Sequence, residues 1–458
     1  MIDIEQRDSQ LTISYFNETG EIAMERFVIP PDQMFEWEYC SYGDKPFPGV
    51  LSWDGKPVKK KRSKYLSKWR IEEYLCSLPE HMKAGIHSAH SPKKFFLDIV
   101  VEVKDEWPKP ELAKTPVTAI TFCNDLRIFT MGTRKLTAEQ IANIKKRIVD
   151  HLKIDVEFNY ICYNTEYDML FTFFNKVIQK MPLLTGWNFI GFDWTYLINR
   201  CKRLNIDPAS SSPSGKLVGK AELPMHRLVV DYLDIYKKWD RIVDIKENNT
   251  LDYVAKAALG VNKVKYNGTL QELFENDFES YIFYNAVDTA LVELIDRKLN
   301  TLQTFLKLGS ITQVESQRAY SPIWMAESAM ARENWRRGRV FPKTDTQMKK
   351  REAYEGAFVV EPKTGLYEWV ASFDFASLYP SIMRQWNISP ESYLGNIGPT
   401  DSFDPEKQVK TSSGALFERN VDSVFRTILS EYYGKRKTAK KAFAEIEEEI
   451  EQLKKYLN

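Results

Sequence analysis

Cysteine is scarce in this 458-residue sequence: Cys40, Cys76, Cys123, Cys162 and Cys201 lie far apart, with no Cys-x-x-Cys pair. That spacing excludes a zinc ribbon and a disulfide framework, and it fits a reducing compartment. Long apolar runs are missing too, since none approaches the ~20 residues a membrane span needs. No membrane partner is therefore expected. The opening MIDIEQRDSQ is polar and acidic, so a secretory signal peptide is not expected there. Nor does one charge dominate, because 64 basic and 63 acidic residues leave a formal +1. A charged groove can be local, so this total neither supports nor excludes a nucleic-acid partner. No internal repeat is evident.

What is present is the balance of a soluble globular chain, with 43% hydrophobic and 28% charged residues. The length predicts two to four domains rather than one core. A cytoplasmic location is expected (the host cytoplasm if the source is viral).

Residues 1 to about 95 mix short alternating stretches such as Leu11–Phe16 with turn signals, and predict a mostly β module with some helix. Its basic run Lys59-Lys60-Lys61-Arg62 reads either as a phosphate-backbone contact or as a solvated loop. At Phe95–Val101 a continuous apolar run predicts a strand buried on both faces. Strand-like and amphipathic runs then alternate to about residue 335, one helix covering Trp194–Leu204, which predicts an α/β domain. Ser210–Gly215 is composed for a flexible loop. Trp369–Asp374 is strand-like, and from about Val421 a helix is expected with Phe443, Ile446, Ile450, Leu453 and Leu457 spaced by three and four.

Three aspartates stand out from their surroundings. Asp98 sits on the buried apolar strand, where an ionised carboxylate is costly unless it is paired or binds a metal. Asp193 follows the aromatic stretch Gly186–Phe192, and Asp288 shares a helix face with Tyr284 at i and i+4. Each alone reads equally well as a cap or a surface acid. Together they suggest an oxygen-ligand site for magnesium, with two ions activating water against a phosphodiester.

The order of Asp98, Asn188-x-x-Gly191-Phe192-Asp193 and Tyr284-x-x-x-Asp288 resembles the three exonuclease motifs of family B DNA polymerases. Asp374-x-x-Ser377-Leu378-Tyr379-Pro380-Ser381 resembles the first polymerase motif of that family, and Tyr354-x-Gly356-Ala357 the motif linking its two activities. Leu251-Asp252-Tyr253 and Asp231–Lys238 are most similar to its T-even phage branch. The resemblance implies a multidomain α/β chain: an N-terminal domain of mixed β structure at 1–95 and 340–372, and a ribonuclease-H-like 3′–5′ exonuclease domain at 96–339. Part of a palm would follow at 373–420 and part of helical fingers at 421–458. It implies that Asp98, Asp193 and Asp288 hold two editing metals, that Tyr284 orients the attacking water, and that Asn188 positions the terminal nucleotide. It implies further that Asp374 and the Phe375 carbonyl bind two catalytic Mg2+ ions, with Mn2+ as a substitute. The amides after Ser377, at Leu378 and beyond, would meet the triphosphate. Tyr379 would lie under the deoxyribose, and Arg436 and Lys440 would grip the phosphates. Primer-template DNA and dNTPs are the implied partners.

Two departures qualify these expectations. The first exonuclease motif of the family is Asp-Ile-Glu, whereas this chain reads Asp98-Ile99-Val100. Valine cannot ligate a metal, so editing is expected to be weak. Glu102 points to the same strand face but lies ~13 Å along at ~3.3 Å per residue, out of reach without a bulge. Second, neither an Asp-Thr-Asp motif nor a Lys-x-x-x-Asn-Ser-x-Tyr-Gly helix follows Asp374. The expectation is a split polymerase whose second chain brings these motifs and, through itself, a sliding clamp. A truncated fragment and a non-catalytic DNA-binding relative are the alternatives, and a stand-alone exonuclease is a third.

Overall fold

The computed structural model describes residues 1–86, 90–103, 107–239, 248–265, 268–343 and 358–457. The chain divides into two compact units, Met1–Ile29 with Leu78–Ala326, and Pro30–Ser77 with Glu327–Asn458. The first 29 residues pack with the larger unit, where Ile2 and Phe16 enter its core.

The larger unit is built on a six-stranded mixed sheet. Lys94–Val101, Val117–Asn124 and Arg127–Gly132 form an antiparallel meander. Glu157–Cys162 adds parallel to its outer edge, while Leu183–Thr185 and then Leu228–Val229 add parallel on the Lys94–Val101 side. This is the α/β architecture expected for the ribonuclease-H-like domain. Side chains of the Lys94–Val101 strand alternate between two cores: Phe96 and Val100 face one, Leu97, Ile99 and Val101 the other. The first core packs under helices Ala138–Leu152, Leu251–Leu259 and Phe278–Leu299, the second under Glu166–Thr172 and Thr195–Arg203.

Local signals set the helix starts. Thr137 with Gln140 and Thr269 with Glu272 form reciprocal capping boxes, and Asp277 caps the long Phe278–Leu299 helix through the amide of Ser280. That helix carries apolar residues almost all round and is buried along most of its length. The Ser210–Gly215 segment corrects its reading as a flexible loop. Ser211 and Ser212 are buried, and the Ser211 carbonyl accepts the Nε–H of buried Arg227 at 2.8 Å. An unpaired guanidinium buried here would be costly, so the serine backbone is held in place.

In the smaller unit, Phe35–Tyr39 pairs antiparallel with Val58–Arg62, and Leu51–Ser52 pairs parallel with Arg339–Val340. The basic run therefore lies on a strand, and its three lysines are engaged by neighbouring side chains while Arg62 is exposed. Lys59 pairs with Asp44 at 2.7 Å and Lys61 with Glu38 at 2.8 Å, while the Lys60 ammonium lies 4.2 Å from the Phe35 ring centroid and 4.3 Å from that of Phe47. A three-stranded sheet follows, Tyr393–Asn396, Ala415–Glu418 and Gln408–Lys410 in spatial order. Helices Leu378–Gln385 and Val424–Leu457 complete the unit. Trp369–Asp374 is not a strand, which corrects the sequence expectation. It lies exposed, and among the described residues no strand is hydrogen-bonded beside it, which leaves its backbone groups to water. The linking motif at Tyr354–Ala357 lies outside the described residues. Among the described residues, no helix is long and apolar enough to cross a membrane.

Candidate active site

Asp98 occupies the middle of its strand, opposite Thr121 and between Phe96 and Val100 on the face that meets the Phe278–Leu299 helix. A buried amide from that helix steadies it: Asn285 Nδ2 donates to Asp98 Oδ2 at 2.5 Å. Asn285 is itself fixed by the Thr121 hydroxyl, which donates to its Oδ1 and also bonds Thr130 Oγ1 at 2.7 Å. Burial, and then the nearby Asp288 charge, push the Asp98 carboxyl up to about 7, while Lys263 and the Asn285 amide oppose the shift.

Asp193 arrives from a different direction. The Leu183–Thr185 strand pairs only as far as Phe96, which leaves the amide of Ile99 without a strand partner on that edge. Asp193 Oδ1 accepts that N–H at 2.9 Å from a π-helical turn, Ile190–Trp194, that leads into the Thr195–Arg203 helix. Burial raises its pKa well above the usual carboxylate range, and the Asp98 charge adds to this. The turn explains the glycines of its motif. A Cβ on Gly186 would run into the Leu97 carbonyl, and one on Gly191 into the side chain of Asn188. Asn188 adopts φ +59° and is exposed beside the turn. The Asp231 carboxylate clamps the same turn by accepting the Ile190 amide at 2.9 Å.

Asp288 lies one helical turn beyond Tyr284. Lys263 Nζ sits 2.6 Å from Asp288 Oδ2 and 5.1 Å from the Tyr284 ring centroid. Burial raises the Asp288 pKa and the Lys263 charge lowers it, with the rise prevailing. Burial also raises the Tyr284 phenol above its ordinary value. The other Asp288 oxygen, Oδ1, is buried and makes no hydrogen bond. Asp252 of the Leu251-Asp252-Tyr253 motif holds Lys263 in place by accepting its backbone N–H at 2.6 Å.

The fold thus assembles Asp98, Asp193, Tyr284 and Asp288 around one strand–helix junction. Among the described residues, no group of three or more His, Cys, Asp or Glu side chains converges as a metal cluster. The donor chemistry nevertheless suits a hard cation: three carboxylates with raised pKa values, one buried oxygen left unpaired. Sequence reasoning missed Lys263 and Asn285. It also missed Trp107, which is 67% exposed with its ring centroid 6.4 Å from that of Phe192, next to Asp193. A single tryptophan directly after Asp105-Glu106 carries no sequence signal of its own.

Val100 is buried in the core two residues from Asp98. A bulge does occur here, but it is in the facing strand: Val100 pairs with Ala119 and Val101 with Val117, leaving Thr118 as the extra residue. Glu102 is thus not re-phased by it, and lies past the end of the strand.

Asp374, Phe375, Leu378 and Tyr379 are all exposed in the smaller unit. Ser377 adopts φ +52° at the start of helix Leu378–Gln385, whose N-terminus carries no side-chain cap. Arg436 Nη1 lies 3.5 Å from Ser377 Oγ, so the long helix brings this guanidinium to the motif. Lys440 is exposed on the same helix, one turn on.

Two family models match this chain: DNA polymerase family B, exonuclease domain, over residues 47–238, and DNA polymerase family B over 324–456. A DNA-directed DNA polymerase of Escherichia phage RB69 is 29% identical over 377 residues, covering 75% of this chain and 41% of the relative. That of Enterobacteria phage T4 is 28% identical over 393 residues, covering 77% and 43%. A DNA polymerase of Archaeoglobus fulgidus is 29% identical over 275 residues, covering 58% and 33%. The chain spans about two-fifths of the length of the two phage relatives.

Proposed function

Because the chain belongs to DNA polymerase family B and carries its exonuclease domain, we propose that its larger unit shortens DNA from 3′ ends and that its smaller unit supplies part of a nucleotidyl-transfer site. The observation that carries the first part is the gathering of Asp98, Asp193 and Asp288 at one junction, with Asp288 Oδ1 buried and unpaired beside Tyr284. These three carboxylates would hold divalent ions, which when bound activate a water and stabilise the leaving oxygen. Tyr284 orients the attacking water, and Lys263 favours the charged form of Asp288 against its burial. Asn188 positions the terminal nucleotide, and exposed Trp107 offers a face for a base of the incoming single strand. Val100 places a methyl-bearing core residue where a further carboxylate ligand would sit, so this activity is weak.

In the smaller unit, Asp374 and the Phe375 carbonyl would hold magnesium. Free amides at the uncapped start of the Leu378–Gln385 helix favour an anion, the triphosphate of a dNTP. Arg436 and Lys440 neutralise it, and Tyr379 lies under the sugar and excludes a 2′-hydroxyl. No Asp-Thr-Asp motif follows Asp374 in this sequence, and the proposed arrangement is a second chain that supplies such carboxylates and reaches a sliding clamp. The exposed stripe Phe443, Ile446, Ile450 and Leu453 along the long helix supports it, being apolar surface suited to a covering helix. The domain division at 1–95 with 340–372, 96–339, 373–420 and 421–458 is part of the same proposal.

Primer extension tests the reading, with the chain alone and mixed with a polypeptide encoding the missing palm and thumb. Extension by the mixture alone supports a divided polymerase. DNA binding without incorporation in any mixture replaces it with a non-catalytic DNA-binding relative.

A further inference from the structure

Beside the candidate editing site, and sharing Tyr284 with it, opens a cavity of about 410 Å³. The rest of its wall comes from the Val264–Lys265 segment, the Leu270–Asn276 helix, the first turn of the Phe278–Leu299 helix and Arg147. Its volume is within the range of small-ligand pockets, roughly 300–1,000 Å³.

The lining divides by chemistry. Tyr284, Val264 and Leu273 supply an aromatic and apolar surface, whereas Arg147 and Lys265 supply cations and Asn276 an amide. Two acids, Glu272 and Asp277, also line it, but both are committed to helix starts. Glu272 accepts the Thr269 amide at 2.7 Å and Asp277 the Ser280 amide at 3.0 Å, where helix dipoles offset their charge. Arg147 is already engaged: Nη1 pairs with Glu279 at 3.4 Å, Nη2 donates to Ser280 Oγ at 3.0 Å, and the guanidinium lies 4.3 Å from the Phe283 ring centroid. Lys265 is exposed, so it is the main cation open to a ligand.

We propose that this cavity binds a nucleoside 5′-monophosphate, the product of 3′-end hydrolysis, with the base against Tyr284, Val264 and Leu273 and the phosphate at Lys265. The inference rests on the exonuclease reading for the source of the ligand, although the pocket's affinity does not depend on turnover. A pocket sharing one wall with the reaction centre lets the product step aside before the next nucleotide enters. It also makes free mononucleotide an inhibitor of degradation.

The test is equilibrium dialysis of the full chain with radiolabelled dTMP, without DNA and without divalent metal. Saturable binding is expected, at least fivefold weaker for thymidine, which lacks the phosphate. Lys265→Glu should weaken dTMP binding at least fivefold, and Asn276→Ala to a lesser degree, each with an unchanged melting temperature. Asp98→Asn should retain binding even though it ends hydrolysis, so failure of the exonuclease reading and failure of this one give different results. The proposal is overturned if dTMP does not saturate, or if Asp98→Asn removes binding that Lys265→Glu leaves intact. It is equally overturned if a short oligodeoxythymidylate binds the pocket and dTMP does not, which would make the cavity part of the strand's path.

Discussion

The Lys263 ammonium lies 2.6 Å from the Asp288 carboxylate, which is almost wholly buried, and over the ring of Tyr284. Although burial disfavours its charge, the Asp288 carboxylate raises the Lys263 pKa above its ordinary value. The pair is held by the fold, since Asp252 fixes the Lys263 backbone. Removing one member leaves the other charge buried and uncompensated, which costs 3–5 kcal/mol in fully buried pairs. Lys263 is 27% exposed on its side chain, so Lys263→Met is expected to cost roughly 2–3 kcal/mol, below that range. Thermal melting reads this, and the double variant Lys263→Met, Asp288→Asn should recover most of the loss. A double variant no better than the single one would mean the pair is not what stabilises the site.

Val100→Glu restores a carboxylate to the Asp98 face. Val100 is 6% exposed among apolar side chains, so without metal the new glutamate is buried without a partner and the variant melts lower. With Mg2+ present, degradation of a 3′-labelled single strand should rise at least tenfold over the parent chain. An unchanged rate would show that the valine is not what limits editing.

Much of this site was legible from residues at odds with their surroundings. Asp98 is an acid on a strand buried on both faces, and Tyr284 and Asp288 share a face of a helix that is apolar nearly all round. Their partners carried no such signal. Lys263 sits in a polar stretch and becomes part of the site through one hydrogen bond from a neighbouring helix, and Asn285 reaches Asp98 only once the helix lies across the sheet. Short-range reading also misjudged segments whose fate depends on long-range partners. Trp369–Asp374 has strand composition but, among the described residues, no strand to pair with, and Lys59, Lys60 and Lys61 are engaged by Asp44, Glu38 and aromatic rings from the facing strand and loop. The bulge at Thr118 was not legible either, because it depends on register rather than on the bulged residue.

Metal binding should be pH-dependent. Burial raises Asp98 to about 7 and also raises Asp193 and Asp288, so the metal-free fold binds protons more tightly than the unfolded chain. By linkage their contribution to the metal-free chain is fully present only below the unfolded carboxylate value of 3.8 and is lost as the pH rises from there through the folded value of about 7 for Asp98. Asp3, also raised to about 7, acts with the same sign, while His226, lowered by burial, acts with the opposite one. The difference made by metal isolates the site. The rise in melting temperature on adding Mg2+ should be small at about pH 6 and larger at about pH 8, since binding must displace protons. A pH-independent rise would place the ion elsewhere.

Trp107 offers an exposed ring beside Phe192 at the edge of the Asp193 turn. Base–aromatic stacking is worth ~1–3 kcal/mol per base, so Trp107→Ala should weaken single-stranded DNA binding by about five- to a hundredfold. Fluorescence anisotropy of a labelled oligonucleotide measures this. Duplex DNA without a frayed end should be affected far less, and equal losses on both substrates would deny the ring a stacking role.

Asp374 and Arg436 belong to a surface that is exposed in this chain, so their replacement should change chemistry without changing stability. Asp374→Ala and Arg436→Ala are each expected to melt within ~0.5 kcal/mol of the parent, as surface substitutions usually do. In a mixture that extends primers, Asp374→Ala should abolish incorporation, because no neighbouring group replaces its carboxylate. Arg436→Ala should instead raise the KM for dNTP about tenfold or more while leaving primer-template affinity intact, since its Nη1 lies 3.5 Å from Ser377 Oγ at the helix start where a triphosphate would bind. An Arg436 variant that loses DNA affinity but keeps its nucleotide KM would reassign this helix from the nucleotide to the template.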